Sequence, residues 1–198
     1  MTTMSASTAK PARLGKIADD ERAAFQALNL LTSKPVLYVA NVDEASAASG
    51  NELSARVAER AAKESAGCVV ISAKIEAELA ELAPTERKAY LAELGLSEPG
   101  LNRLIHEGYK LLGLITYFTA GPKEARAWTV PQGTRAPQAA GMIHTDFEKG
   151  FIRAETIAYD DYVTLDGEAG ARDAGKLRLE GKDYVVKDGD VLHFRFAN

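Results

Sequence analysis

Hydrophobic positions in the first half of the chain follow two different spacings. Residues 36–40 (VLYVA) and 68–71 (CVVI) are continuous apolar runs, a pattern typical of short strands that are buried on both faces. Between them, Leu53, Val57 and Ala61 recur every four residues, as on one face of a helix. A strand, a helix and a second strand within about 35 residues predict a βαβ unit, in which the two strands are parallel.

Helical patterns lie on both sides of this unit. Acidic residues followed by an apolar face from Phe25 predict a helix within residues 17–31. A second helix has Leu91 on its apolar stripe, and a third begins after Ser97 and ends at Gly113. We expect the boundary between two domains near Gly113.

After Gly113 the pattern changes to short β-type runs. These runs are residues 115–119, 125–130, 152–159, 184–186 and 191–196. Thr145 and Glu148 match a capping box, so at least one helix separates the second run from the third. Gly189 suits a tight turn between the last two runs and predicts a hairpin there. Together these features predict a small sheet crossed by a helix.

The pattern divides the chain into three predicted segments: a flexible lead-in over residues 1–16, an α/β segment over residues 17–112 and an α+β domain over residues 113–198. The 198 residues are 46% hydrophobic and carry a formal charge of −4, which is typical of a soluble globular protein. No apolar run approaches the ~18 residues that span a bilayer. We therefore expect a cytoplasmic monomer that does not contact a membrane.

Metal ligands and catalytic groups are sparse. The only cysteine, Cys68, lies inside an apolar run, which excludes a disulfide framework and indicates an inert core thiol. His106, His144 and His193 fall on different predicted elements without ligand spacing, so no metal site is expected. No residue of this chain is predicted to be catalytic.

Polar residues follow each strand of the predicted βαβ unit. The two tips are Asn41, Val42 and Glu44 after the first strand, and Ser72, Ala73 and Lys74 after the second. Open parallel sheets bind ligands outside the carboxyl ends of their strands, so both tips should face one crevice. A plain Asx turn would explain the first tip alone, and a solvated lysine would explain Lys74 alone. As a pair, however, they resemble the base-recognition motifs of P-loop GTPase folds, and we predict that these six residues bind a nucleotide base.

Longer stretches make the resemblance more specific. They are residues 30–44 (LLTSKPVLYVANVDE), 93–102 (ELGLSEPGLN), 116–121 (TYFTAG), 126–129 (RAWT), 143–155 (IHTDFEKGFIRAE) and 182–196 (KDYVVKDGDVLHFRF). All are similar to the Obg-like ATPase family, and the resemblance covers residues 18–198. It implies that residues 17–112 are the C-terminal half of a G domain, with a partial P-loop-type parallel sheet and the end of a helical insertion. It also implies that residues 113–198 form a TGS domain of the β-grasp type.

The resemblance implies ATP as the cofactor, Mg²⁺ in complete family members, and the ribosome as the partner, with its large subunit and ribosomal RNA as candidate contacts. The family's phosphate-binding motif, G-x-x-x-x-G-K-[ST], does not occur in this sequence. Its backbone N–H groups and lysine hold the phosphates during hydrolysis. We therefore expect this chain alone not to hydrolyse ATP. A late start, an engineered boundary and a truncated gene are each compatible with the missing motif.

The first tip favours adenine over guanine. A GTPase reads guanine with Asn-Lys-x-Asp, whose carboxylate accepts from two donors on the base; here Val42 replaces the lysine and Glu44 replaces the aspartate. Val42 offers only apolar packing, and the longer Glu44 cannot hold the same bidentate geometry. Asn41 can still pair with a purine edge. A site without the guanine partner loses its discrimination for guanine, so adenine is the expected base.

A local basic patch is the candidate for RNA contact, because the chain as a whole is weakly acidic. Lys123, Arg126 and Arg135 flank Trp128 around a predicted hairpin, which places positive charge beside a ring that can stack on an unpaired base. The alternative is a core tryptophan with a rim of solvated cations.

The sequence leaves two functions open, besides a fragment without function. The first is a ribosome-associated ATPase, represented here by its base-recognition part and TGS domain. The second is a non-catalytic adaptor, in which residues 113–198 dock on ribosomal RNA or protein and no nucleotide is used. The two polar tips favour the first, since an adaptor has no need of them.

Overall fold

The computed structural model describes residues 10–197, so residues 1–9 of the predicted lead-in lie outside the described residues. The chain forms two compact units, which divide between Leu111 and Leu112, next to the boundary near Gly113 that the sequence predicts. Within residues 10–197, no helix is both long enough and apolar enough to cross a membrane.

The first unit contains a pair of parallel strands and five α-helices within its described residues. The helices are α1 (Arg22–Ala27), α2 (Glu52–Lys63), α3 (Ala73–Glu81), α4 (Pro84–Glu93) and α5 (Gly100–Leu112), and the strands are β1 (Leu37–Asn41) and β2 (Gly67–Ile71). The pairing runs from Leu37 opposite Gly67 to Asn41 opposite Ile71, with α2 as the connection. The predicted βαβ unit is therefore confirmed, and both strands end at the same edge of the sheet.

Local interactions set where these helices begin and end. Asn51 accepts a hydrogen bond from the Ser54 amide at 2.9 Å while Ser54 Oγ accepts one from the Asn51 amide at 2.8 Å, so the start of α2 is capped from both sides. α1 is shorter than the predicted helix over residues 17–31. Asn29 adopts a left-handed conformation with φ 46°, which ends the helix.

The described part of the lead-in is attached to the first unit. Residues 12–14 form a short 3-10 turn, and Arg13 donates to the Glu64 carboxylate at 2.7 Å. Tyr38 and Arg60 donate to the same carboxylate, whose side chain is only 4% exposed. These donors, Arg13 first among them, lower the pKa of Glu64 to about 2. Glu64 thus joins the end of α2, β1 and the segment that precedes them.

The second unit is a mixed sheet with helices. Its strands are β3 (Leu114–Ala120), β4 (Ala125–Pro131), β5 (Phe151–Ala158), β6 (Arg178–Glu180) and β7 (Asp190–Phe196), and its helices are α6 (Ala136–Ile143), α7 (Thr145–Lys149), α8 (Tyr159–Thr164) and α9 (Glu168–Asp173). The strand order is β4-β3-β7-β5-β6. β3 and β7 are parallel, whereas the other neighbours are antiparallel.

The core of the second unit lies between the sheet and α6. Tyr117, Val130 and Phe151 are buried there against the small residues of the helix, such as Ala139. Tyr117 is fully buried and donates its hydroxyl hydrogen to the Ala139 carbonyl oxygen at 2.8 Å. Alanine at this position lets α6 approach closely enough for that bond.

The predicted hairpin at the end of the chain is wrong. Gly189 does form a turn, with φ 80°, but its amide donates to Thr116 of β3 at 2.8 Å. Residues 184–186 make only an isolated antiparallel bridge, between Val185 and Arg135, in which the Ala136 amide donates to the Tyr184 carbonyl and the Val186 amide to the Thr134 carbonyl. β7 pairs with β5 and β3 rather than with these residues.

Candidate functional site

A hydrogen bond joins the two polar tips at the carboxyl ends of β1 and β2. Asn41 Oδ1 accepts from the Ala73 amide at 2.9 Å, and the Val42 amide donates to the Ile71 carbonyl at 2.9 Å. Asn41 is exposed, and its amide nitrogen is a donor at the same edge of the sheet. The structure thus brings together the two tips that the sequence predicts to face one crevice.

An ion pair links the same tips through their side chains. Lys74 Nζ lies 2.7 Å from Glu44 Oε2 and 3.9 Å from the Glu78 carboxylate. The hydrogen bond to Glu44 raises the pKa of Lys74. Tyr90 of α4 donates to Glu78, and this bond, with burial, raises the pKa of Tyr90 to about 12. Lys74 is therefore held from two directions, in the first turn of α3 rather than in a loop.

Ser72 contributes a buried hydroxyl without a partner. Its residue is 3% exposed and precedes α3, yet Oγ neither caps the helix nor bonds to any other atom of the described residues. A buried polar atom without a partner costs free energy in the folded state, so this hydroxyl is available to a further partner at this edge. Beside it, Val42 is half-buried and offers an apolar surface.

The plain Asx turn that would explain the first tip alone is present, but Asn41 does not form it. Asp43, rather than Asn41, closes a local turn by accepting from the Ser46 amide at 2.9 Å. Asn41 Oδ1 instead accepts from the Ala73 amide at the start of α3, and Glu44 pairs with Lys74. The six predicted residues therefore combine a donor (Asn41), an acceptor (Glu44), a cation (Lys74) and an apolar side chain (Val42) at one edge.

The structure does not bring the predicted RNA-contact cations together. Arg126 lies over the Trp128 ring, with its guanidinium carbon 4.4 Å from the ring centroid. Lys123 lies in the turn before β4, whereas Arg135 follows the other end of this strand and pairs with Asp183 at 2.8 Å. A strand of this length spans about 20 Å, so Arg135 lies apart from the other two cations.

Trp128 itself packs against the core of the second unit. Its ring lies 6.4 Å from that of Tyr117, nearly parallel to it, and its Nε1 donates to Thr119 Oγ1 at 3.0 Å. Arg126 covers one of its faces. These contacts favour the alternative of a core tryptophan over a ring that is free to stack on a base.

A different group of cations gathers around Glu155, which sequence reasoning missed. Arg195 makes two bonds to this carboxylate, at 3.1 and 3.2 Å, and Arg153 and Arg172 lie 3.7 and 3.9 Å from it. The contact with Arg195 lowers the pKa of Glu155. The three arginines come from β5, α9 and β7, so no spacing in the sequence could reveal them.

His193 also lies in this group, although no metal-ligand spacing predicts it. Ligand atoms of Glu155, Glu168 and His193 all lie within 4.8 Å of one another. Arg195 already pairs with Glu155, and Arg172 pairs with Glu168 at 2.6 Å. A divalent cation would have to displace these arginines, so we assign no metal to the group.

Comparison with known proteins finds a matching family model and several similar proteins. A family model named YchF-GTPase_C, described as "Protein of unknown function (DUF933)", matches residues 114–197. The Ribosome-binding ATPase YchF of Bacillus subtilis (strain 168) is 57% identical over 189 residues, which are 94% of this chain and 52% of that protein. The protein of the same name from Escherichia coli O157:H7 is 58% identical over 177 residues, or 89% of this chain and 48% of the relative.

Solved structures agree with these matches. The Schizosaccharomyces pombe YchF GTPase aligns with a TM-score of 0.81 at 35% identity, over 94% of this chain and 50% of that one. A GTP binding protein from Pyrococcus horikoshii OT3 aligns with a TM-score of 0.60 at 20% identity, over 91% and 51% of the two chains, and supports the fold alone. The chain spans about half the length of the curated relatives it matches. The chain thus matches the C-terminal portion of the YchF proteins, as its resemblance to the Obg-like ATPase family implies.

Proposed function

We propose that this chain supplies adenine recognition to a ribosome-associated ATPase. In this proposal residues 17–112 are the second half of a P-loop-type G domain, and residues 113–198 are a TGS domain of the β-grasp type. The observation that carries it is the hydrogen bond from Ala73 to Asn41, which fixes both polar tips at one edge of a parallel sheet. A pure adaptor has no need of such an edge.

The ion pair between Lys74 and Glu44 supports adenine as the base. Guanine offers a carboxylate two adjacent donors, N1–H and N2–H, and reading both requires both carboxylate oxygens. In Glu44, Oε2 already binds Lys74 at 2.7 Å, which leaves one oxygen for a base. One oxygen is enough for the exocyclic N6–H of adenine. The names of the relatives include both ATPase and GTPase, so the base preference is the quantity to measure.

The base preference can be measured on this chain by nuclear magnetic resonance. We expect adenosine to shift the backbone amide signals of Ala73 and Lys74 at lower concentration than guanosine does. Val42→Lys combined with Glu44→Asp restores the guanine-reading residues and should move the preference towards guanosine. Glu81→Asp, at the far end of α3, is the matched control and should leave the preference unchanged. An equal preference in the double variant and the parent would contradict the proposal.

ATP and Mg²⁺ are the proposed cofactors of the whole protein. Asn41, Glu44 and Lys74 would hold the base, with the buried hydroxyl of Ser72 as a further partner at this edge. ATP supplies the phosphoanhydride bond that is broken. The phosphate-binding motif is absent from this sequence, so we assign none of its residues a role in hydrolysis.

Ribosome association is the second part of the proposal. It rests on the relatives named ribosome-binding and is tested by sedimenting the chain with ribosomes and with separated subunits, of which the large subunit is the expected partner. Such an association would place the protein in the cytoplasm. Alanine at Lys123 and Arg126 should weaken it if the predicted patch is the contact, and alanine at Arg135 should act independently of these two.

A further inference from the structure

The arginines around Glu155 form an ordered group with an unusual distribution of charge. Glu155 is 8% exposed in its side chain, whereas the side chains of Arg153, Arg172 and Arg195 are 49%, 57% and 45% exposed. The carboxylate therefore lies inside and the guanidinium groups face the solvent. With Glu168 included, the three cations exceed the two anions by one charge. These five residues therefore carry a net positive charge, although the whole chain is weakly acidic.

The backbone brings two of these cations into an unfavourable position. Arg153 of β5 lies directly opposite Arg195 of β7 in the antiparallel ladder, and an irregularity in the pairing lies just before Arg153. Like charges opposite each other on neighbouring strands are destabilising, and irregular pairing often redirects a side chain at a functional position. Glu155, two residues further along β5 and opposite His193, reduces the repulsion because it pairs with both, at 3.7 Å from Arg153 and through two bonds to Arg195.

We propose that Arg153, Arg172 and Arg195 form a surface that binds the phosphodiester backbone of RNA. A guanidinium group presents several N–H donors in a plane that matches the oxygens of a phosphate. Arg195 uses Nε and one terminal nitrogen on Glu155, and Arg172 uses one terminal nitrogen on Glu168, so donors remain on the exposed side. The buried carboxylate keeps these groups in place before RNA arrives, which reduces the entropy lost on binding.

This surface rests on the proposed ribosome association, to which it gives a contact chemistry. Phosphate contacts are independent of base sequence and lose affinity steeply with added salt, because each one releases counterions. The surface therefore predicts binding that tolerates any base sequence and depends on salt. An extended acidic peptide is the competing occupant, since carboxylates also pair with arginine.

The test uses the full chain and an oligouridylate probe of about 16 nucleotides, labelled with fluorescein. The variant is Arg153→Gln with Arg172→Gln, which keeps the bonds between Arg195 and the buried Glu155. Lys182→Gln with Lys187→Gln removes the same charge from two exposed lysines outside the group and is the matched control. We expect the arginine variant to bind about tenfold more weakly at low salt, with a smaller dependence of affinity on salt, while the control stays close to the parent.

The results that would overturn the inference are as follows. Equal loss in the arginine variant and the lysine control would overturn the inference, because net charge and not this surface would then bind RNA. It would also fail if the parent did not bind the probe, or if polyglutamate of similar charge bound the parent equally well. Sedimentation with ribosomes separates the two proposals: a parent chain that does not pellet contradicts ribosome association. Pelleting that is the same for parent and arginine variant overturns only the surface.

Discussion

Glu64 is a nearly buried carboxylate that accepts hydrogen bonds from three segments of the first unit. Its pKa falls from the ordinary value of 4.5 to about 2 because Arg13, Arg60 and Tyr38 all donate to the ionised form. The folded state therefore binds this proton more weakly than the unfolded state does, and stability falls when the proton is taken up. The contribution of Glu64 is complete above pH 4.5 and is lost as the pH falls towards 2.

We predict that Glu64→Gln destabilises the first unit at neutral pH and that its difference from the parent shrinks in acid. The measurement is the urea midpoint at which the amide signals of β1 and β2 disappear, taken across the acidic range. Glu59→Gln, an exposed position on α2, is the control and should match the parent at every pH. A difference between Glu64→Gln and the parent that does not change with pH would show that the carboxylate is not responsible.

The stability of a Trp128 variant distinguishes a ring packed in the core from a ring that stacks on RNA, because only the packed ring contributes strongly to stability. Because its ring packs against the core, Trp128→Ala should destabilise the second unit by roughly 3 kcal/mol. Arg126→Ala removes only a cation over the ring and should cost less than about 1 kcal/mol. Urea unfolding, followed at the amides of β3 and β5, measures both. If Trp128→Ala left the stability of the second unit nearly unchanged, the packing against the core would be contradicted and stacking on a base would be favoured.

At the scale of elements, two glycines of α5 should respond to alanine in opposite directions. The new Cβ at Gly100 would lie 3.0 Å from Glu76 Oε1 and 3.0 Å from Ile71 Cγ2, and would disturb the bond from the Gly100 amide to Glu76. Gly100→Ala should destabilise the first unit by about 1–2 kcal/mol. Gly108 has open space, so Gly108→Ala should stabilise it by about 0.5–1 kcal/mol. Thermal unfolding of the two variants checks the signs, and equal signs would contradict the packing described at Gly100.

Elements with a strong apolar pattern were predictable, and short ones were not. The runs at 36–40 and 68–71 became β1 and β2 within a residue or so. The expected burial on both faces is wrong, however, because only Ala40 of β1 and Val69 of β2 are buried and Val39 is 44% exposed. Residues 184–186 have the same composition but pair with the segment before α6, a tertiary contact that no local pattern contains. α8 and α9 have too few turns to display a helical period.

The candidate site residues also fall into those that the sequence predicts and those that it does not. The tips at Asn41 and Lys74 could be found because the carboxyl ends of parallel strands must meet. The arginines around Glu155 could not, because their proximity depends on the order of strands in a mixed sheet. Arg135 was misplaced for a related reason, since nearness in sequence to Trp128 is not nearness across a whole strand.

At the scale of the whole molecule, we predict that residues 112–198 fold alone. The second unit has its own core between the sheet and α6, and a segment of 87 residues can bury enough surface to be stable. Its amide spectrum should overlay on the corresponding signals of the full chain, and it should unfold cooperatively in urea. Poorly dispersed signals would show that this unit depends on residues 10–111.

The opposed arginines on β5 and β7 also bear on how this sequence would respond to selection. Replacing Arg153 with threonine removes the like-charge pair and adds a residue that favours strands, so stability should rise while RNA affinity falls. A randomised library at this position, selected only by survival of heating, should therefore lose arginine. The same library selected by retention on immobilised RNA should keep it. Loss of arginine under both selections would mean that no trade-off between stability and binding exists at this position.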